Sequence, residues 1–375
     1  MSENNCSHYK SILTAQQEHW IKHRHPFDGG IELTTKCNMN CIHCYLQDTE
    51  QGKEMTTNQV KKIIDKLYDR GVLFLYFTGG EILTRLDFID IYIYAKQKGF
   101  IIDLLTNGTL LNEDIIRVFD KYPPSTVSIS IYGKDEKSYY KVTRTHGNFE
   151  RLINNLKLLK QYQINTELKF IGMKQIFNDF YEVEKISNEY CSSFTFSFEL
   201  FPTLKGNTIT KDFMVNPEDI VSFEKTYEKT RRVWSVNITD FNPYANLNED
   251  GPLYTCNIGT SNFLIDHEGY INACNKYRLK KFNLLNCDFD EAWRYFKKIY
   301  IEQKVPKNYK CFHCKEFYMC SPCVATNELS TGNPLKPMEE RCKLNYLRKK
   351  EFSKSIYEAY RDEVRKYREK KEKIK

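Results

Sequence analysis

The stretch "GIELTTKCNMNCIHCYL", residues 30–46, sets Cys37, Cys41 and Cys44 directly after a short apolar run, with three and then two residues between them. Structural zinc closes its tetrahedron with four protein ligands, so three closely spaced thiols make a site that is either incomplete or open. The run before them, "GIELTT", reads as a strand and opens a series. A helix follows, "NQVKKIIDKLYDR", with Val60, Ile63, Ile64, Leu67 and Tyr68 on one face. Then come the strand "VLFLYF", a helix over 87–98, the strand "FIIDLL", a helix over 113–120 and the strand "TVSISI". A helix over 148–162, "TELKFI", a helix over 178–190 and "SFTFSFEL" complete six rounds. Such alternation predicts parallel strands with helical crossovers. Six rounds predict an α/β fold built as a partial (β/α)6 TIM-like barrel.

The polar motifs fall at matching places. The cysteine triplet follows the first strand, "TGGE" (Thr78 to Glu81) the second and "TNG" (Thr106 to Gly108) the third, while Ser130 sits near the end of the fourth. Loops at the C-terminal strand ends of such barrels build active sites. Each motif alone reads equally well as a turn; their shared edge singles them out.

Composition narrows the setting. No apolar run approaches the roughly 18 residues of a membrane span, and the start, "MSENNCSHYK", is too polar for a secretory signal. The expectation is a cytoplasmic chain, whose 13 cysteines stay reduced and serve metal ligation better than disulfides. Cys6 and Cys191 have no partners at a sensible spacing and read as ordinary thiols. Of the net +7, the segment 348–375 carries +6, from twelve Lys or Arg against six Asp or Glu. There Phe352, Ile356, Tyr360, Val364 and Tyr367 recur at helical spacing, predicting a basic amphipathic helix lying on its own domain. A docking surface for an acidic peptide or a membrane is the functional alternative, and nucleic acid ranks last.

The C-x3-C-x2-C-Tyr45 spacing after a first strand resembles the signature of radical S-adenosylmethionine (radical SAM) enzymes. In them three thiolates hold a four-iron cluster whose open iron chelates S-adenosylmethionine. One-electron reduction then yields a 5′-deoxyadenosyl radical. By this resemblance "TGGE" meets the methionine amino group through Gly79, Gly80 and Glu81. Ser130 and Arg144 match positions that hold the methionine carboxylate, a task suited to a guanidinium fork. Tyr45 and Asn107, in "LLTNGTLL", are further cofactor-site candidates.

A second set of thiols comprises Cys256, Cys274, Cys311, Cys314, Cys320, Cys323 and Cys342, with "CFHCKEFYMCSPC" at its centre. It resembles the SPASM extension, which carries two auxiliary clusters. That resemblance implies Cys311, Cys314, Cys320 and Cys342 for the outer cluster, and Cys256, Cys274 and Cys323 for the inner one. Two features depart from the pattern. Only Ser321 and Pro322 separate Cys320 from Cys323, and Asn262 stands where many relatives place another inner ligand. The inner cluster then keeps an open iron or borrows Cys287. Zinc knuckles are the non-iron alternative.

The expected partition is an extension over 1–28, the barrel over 29–235, the Cys-rich SPASM domain over 236–345 and a terminal helix over 346–375. The cofactors implied are S-adenosylmethionine and three 4Fe-4S clusters. The activity implied is hydrogen abstraction from a ribosomally made peptide, leading to a crosslink such as a thioether or to epimerisation. Partners implied are the precursor peptide, a low-potential donor such as flavodoxin or ferredoxin, and a separate leader-binding protein. Asn275 occupies the position of a general-base Asp in sulfatase-maturing relatives and cannot take a proton, which disfavours that reaction. A small-molecule enzyme acting on a tetrapyrrole, and a zinc-bearing binding protein, are the competing readings.

Overall fold

The computed structural model describes residues 16–49, 52–236, 253–254, 256, 258–314, 320 and 322–352. Two compact units emerge: Met1–Phe213 with Cys256–Glu302, and Met214–Thr255 with Gln303–Lys375.

In the first unit six strands, β1 (Asp28–Thr34), β2 (Phe74–Gly79), β3 (Ile101–Thr106), β4 (Thr126–Ile131), β5 (Thr166–Ile171) and β6 (Ser193–Ser197), pair in parallel and in sequential order. Helices α1 (Thr57–Asp69), α2 (Phe88–Gln97), α3 (Glu113–Lys121), α5 (Asn148–Gln161) and α6 (Phe180–Tyr190) connect them as crossovers. This is the partial barrel that the alternating pattern predicts. Helix α1 starts at a capping box between Thr56 and Gln59 and buries Val60, Ile63, Ile64 and Leu67. Tyr68 departs from the predicted face: it is 53% exposed, meeting the edge of Phe100 and lying 5.3 Å from the Lys98 ammonium. It lies at the rim of the apolar stripe, where a long polar-tipped ring stays wet.

Two features were not legible in the sequence. Helix α4 (Glu136–Thr143) intervenes between β4 and α5, capped by Asp135, whose carboxylate accepts from Ser138 N. The sheet also continues past β1. Strand β7 (Asn262–Ile265) pairs in parallel with β1, and the short antiparallel strands β8 (Tyr270–Asn272) and β9 (Phe282–Asn283) follow. Helix α9 (Phe289–Phe296) buries Phe289, Trp293 and Phe296 beside them. Asn262 stands at the start of β7, its amide donating to Asp28 Oδ2 at 3.1 Å, so this side chain makes a strand contact.

The second unit is helical. Helices α7 (Pro217–Thr226), α8 (Glu228–Val236) and α10 (Val324–Thr331) are joined by a helix over 339–352. Arg348 makes a two-pronged ion pair with Glu224 at 2.9 and 2.5 Å and lies 4.6 Å above the Trp234 ring. Lys343–Glu218 and Lys225–Glu351, both 2.7 Å, add to it. The start of the basic terminal segment is thus laid on its own unit. Of its predicted apolar stripe, Phe352 is buried, and the rest lies outside the described residues.

Candidate active site

The loop after β1 is fixed from three sides. Asn40 N and Ile42 N donate to Thr143 O and Val142 O, each at 3.0 Å, so the loop leans on the end of α4. Tyr45 O accepts from Leu204 N at 3.0 Å. Asn107, after β3, donates from Nδ2 to Asn38 Oδ1 at 2.8 Å and to Cys37 Sγ at 3.9 Å.

The "TGGE" loop lies hard against this one. Gly80 N donates to Thr34 O and Glu81 N to Lys36 O, both at 2.8 Å. A Cβ on Gly79, whose φ is +152, would sit 2.2 Å from Thr34 O, and one on Gly80 would sit 2.2 Å from Lys36 O. The glycine pair therefore permits the approach of two backbone segments. Gly80→Ala is expected to force the cysteine loop outward, lowering stability by about 1–3 kcal/mol, which a thermal melt with iron analysis would detect. An unchanged melt and full iron loading would remove this role from Gly80.

Glu81 is fully buried, and its carboxylate accepts from Thr106 Oγ1 (2.7 Å), Asn107 N (2.7 Å) and Leu83 N (3.1 Å). Burial pushes its pKa up, partly offset by these donors. It ties the loops after β2 and β3 together from behind.

These strand ends enclose a cavity of about 490 Å³. Cys37, Cys41, Cys44, Tyr45, Gly79, Gly80, Asn107 and Ser130 all line it. Glu81 stands behind the wall. Arg144 is exposed at the end of α4, with a left-handed φ of 58, and does not line the cavity. The structure adds residues that the sequence reading did not select: His43, Tyr76, Tyr132 and Lys169. Burial lowers the His43 pKa to about 4, so its ring is neutral, and it packs 4.9 Å from Tyr132. Asn275 also reaches this wall.

A buried charge network stands beside the site. Glu32 on β1 receives Arg278 at 3.0 and 2.7 Å, while His267 Nδ1 lies 3.1 Å from it. Burial opposes the Glu32 charge, yet His267 and Arg278 hold its carboxyl below the usual range. Arg278 Nε also donates to Asn275 O at 3.1 Å, linking the network to the cavity wall.

The three thiols share one chemistry. Burial raises the pKa of each, and the charges of Cys37 and Cys44 raise Cys41 further. Adjacent buried thiols ionise readily once positive metal binds them, so the donor set fits a thiolate-held cluster with an open position.

The later cysteines fall into separate groups. In the second unit Cys311, Cys314, Cys320 and Cys342 line one cavity with Arg341, Asn327 and Asn345. Burial pushes Cys320 up to about 12. Cys323 instead caps α10, its sulfur accepting from Thr326 N at 3.4 Å. Cys256 and Cys274 belong to the first unit, where Cys274 Sγ accepts from Lys276 N at 3.4 Å. Cys287 lies between β9 and α9, its carbonyl receiving Lys66 Nζ at 3.0 Å. Cys191, after α6, is pushed up to about 12 by burial.

A partial parallel barrel with three close thiols at its strand ends is the arrangement that the radical SAM resemblance implies. Residues 31–184 match the Radical SAM superfamily and form a radical SAM domain. The chain is 25% identical to the AdoMet-dependent heme synthase of Methanosarcina barkeri, over 81% of this chain and 93% of that protein. It is 24% identical to mycofactocin maturase MftC of Mycolicibacterium smegmatis, over 83% and 81% respectively. Among solved structures, Streptococcus suis SuiB bound to S-adenosylmethionine matches with a TM-score of 0.67 and 18% identity, covering 91% of this chain and 83% of SuiB. The enzyme anSMEcpe with AdoMet and the Cp18Cys peptide matches with a TM-score of 0.64 and 18% identity, covering 88% and 98%. SuiB is also known bound to its precursor peptide SuiA. Among the described residues no helix is long and apolar enough to cross a membrane.

Proposed function

We propose that this radical SAM enzyme matures a ribosomally made peptide, abstracting hydrogen to install a crosslink or to epimerise a residue. The observation that carries the reading is the second thiol cavity, Cys311, Cys314, Cys320 and Cys342, in a chain whose first cavity already holds a triad. A four-thiolate set suits a closed relay cluster, and a radical enzyme needs such a relay when product formation must shed an electron. The likeness in fold to peptide-binding SuiB and anSMEcpe supports the same reading.

In this reading Cys37, Cys41 and Cys44 hold the first cluster, which with S-adenosylmethionine supplies the 5′-deoxyadenosyl radical. Gly79, Gly80, Tyr45, Asn107 and Ser130 form the cofactor wall, with Glu81 acting through Thr106 and Asn107. Arg144 joins the methionine carboxylate only by swinging inward. For the inner auxiliary cluster the sequence resemblance implies Cys256, Cys274 and Cys323, with either an open iron or Cys287. The auxiliary segment, 236–345, follows the barrel of 29–235, flanked by the extension over 1–28 and the terminal helix over 346–375. A flavodoxin or ferredoxin supplies electrons in the cytoplasm, and a separate protein presents the leader.

A tetrapyrrole substrate is the second reading, favoured by the heme synthase similarity across 93% of that relative. The deciding experiment incubates reconstituted enzyme with peptides encoded beside its gene, and separately with carboxylated tetrapyrroles. A peptide mass lowered by a pair of hydrogens (a crosslink) or raised by one deuterium in D2O (epimerisation) supports maturation, whereas carbon dioxide loss from the tetrapyrrole overturns it.

The relay role carries its own expectation. Cys320→Ala is expected to retain 5′-deoxyadenosine formation but to stop product formation, with iron falling from about twelve per chain to about eight. Unchanged iron would remove Cys320 from the ligand set.

A further inference from the structure

Among the described residues lining the first cavity, Lys169 is the sole Lys, Arg, Asp or Glu. It projects from β5 at the register partner of Ser130 on β4, so two cavity-lining polar groups sit side by side on neighbouring strands. Behind it stands Glu167, whose Oε2 accepts from Lys169 Nζ at 3.0 Å and from Ser128 Oγ at 2.8 Å. The lysine side chain is 37% exposed and the glutamate 17%, so the ammonium is the more accessible member.

A lysine serving only to neutralise Glu167 would need no place in the cavity wall. An ammonium has three donors. Glu167 takes one and limits where the head can move, leaving two for a partner. The remaining lining is thiol, hydroxyl, amide, aromatic and apolar. Such a wall offers one point of strong charge recognition, and its sign selects an anion.

We propose that Lys169 binds a carboxylate of the substrate, next to the cofactor wall that ends at Ser130, and so determines which molecules present a C–H bond to the radical. This rests on the radical reading above and deepens it: the segment entering the barrel bears an acidic side chain or a terminal carboxylate. Lys169 is a specificity residue and takes no part in bond cleavage.

The test uses the reconstituted full-length enzyme with S-adenosylmethionine, dithionite and fully carbon-deuterated glutarate or glutaramide as probes. When a probe occupies the cavity, one deuterium atom passes from its carbon to the 5′-deoxyadenosyl radical. The carbon radical left behind takes an electron from dithionite and a proton from water. Mass spectrometry of 5′-deoxyadenosine reads the transfer. Glutarate is expected to label the nucleoside at least about tenfold more than glutaramide, the scale of a hydrogen bond to a charged group. In Lys169→Met that preference disappears, while the KM for S-adenosylmethionine in probe-free cleavage is unchanged.

Lys169→Met leaves Glu167 uncompensated, so the Glu167→Gln/Lys169→Met double variant, which removes both charges, is read alongside. It is expected to match the single variant. Equal labelling by the two probes in the unsubstituted enzyme overturns the proposal. So does a tenfold rise in the KM for S-adenosylmethionine in both variants, because the lysine would then hold the cofactor's own carboxylate. Absence of any 5′-deoxyadenosine overturns the radical reading itself, a result distinct from nucleoside formed without preference.

Discussion

Cys41→Ala is expected to reduce 5′-deoxyadenosine formation to the background of S-adenosylmethionine and reductant alone. The loop that carries Cys41 is anchored on both sides of it, by Asn40 and Ile42 to the end of α4. The backbone therefore stays in place while the donor is lost, and no neighbouring sulfur can slide across to replace it. Three thiolates are the minimum that leaves a four-iron cluster one open iron. With two, the cluster is lost or gains a second labile iron. Burial together with repulsion from Cys37 and Cys44 makes Cys41 hard to ionise without metal, so the apo loop gains nothing by retaining a free thiolate. Anaerobic reconstitution followed by chromatographic assay of the nucleoside checks this. Cys191→Ala, a half-buried thiol after α6, serves as the control and is expected to keep full activity. Nucleoside formation persisting in Cys41→Ala would mean that the triad is not the cluster site.

The second large effect concerns Glu32. It is fully buried, and both oxygens are matched, by Arg278 at 3.0 and 2.7 Å and by His267 at 3.1 Å. Glu32→Gln leaves Arg278 buried and uncompensated, a situation that costs about 3–5 kcal/mol. Urea unfolding of the two chains measures it. The pH dependence has two arms. The Glu32 carboxyl is depressed, because His267 and Arg278 outweigh burial. Its contribution is therefore present above the ordinary value of about 4.3 and lost as pH falls through the depressed one. His267 runs the other way. Burial lowers its pKa, but Glu32 more than compensates and raises it. That contribution is present below about 6.5 and lost as pH rises through the raised value. The stability gap between native and Glu32→Gln should therefore be widest between about pH 4.3 and 6.5 and narrow on either side. A gap that is flat with pH would show that hydrogen bonding alone, without charge, holds the network.

Much of this was legible in the chain. The strands "TVSISI" and "TELKFI" fall on β4 and β5 residue for residue, because each apolar run is bounded by turn formers and lies between strongly periodic helices. The triad and the glycine pair were legible through local spacing. What escaped notice depends on distant partners. Strands β8 and β9 have three and two residues, too few for any periodicity, and exist only because β7 found β1. Lys169 looked like one charge in an alternating strand. Only the register with Ser130 turns that alternation into a cavity wall. Glu81 shows the converse: its motif was plain, but its carboxylate is spent on Thr106 and Asn107, which spacing alone does not reveal.

The pairing of β1 with β7 also bears on how the protein is made. Asp28 lies opposite Asn262 in the sheet, so more than half of the polypeptide must leave the ribosome before one side of the first strand finds its neighbour. Until then that side carries unpaired N–H and C=O groups, a template for pairing with other chains. The same strand leads straight into Cys37, so the cysteine loop hangs from a strand whose second neighbour arrives late in synthesis. A nascent chain stalled before Cys256 would hold its cysteine loop on an unfinished edge, exposed to both aggregation and oxidation.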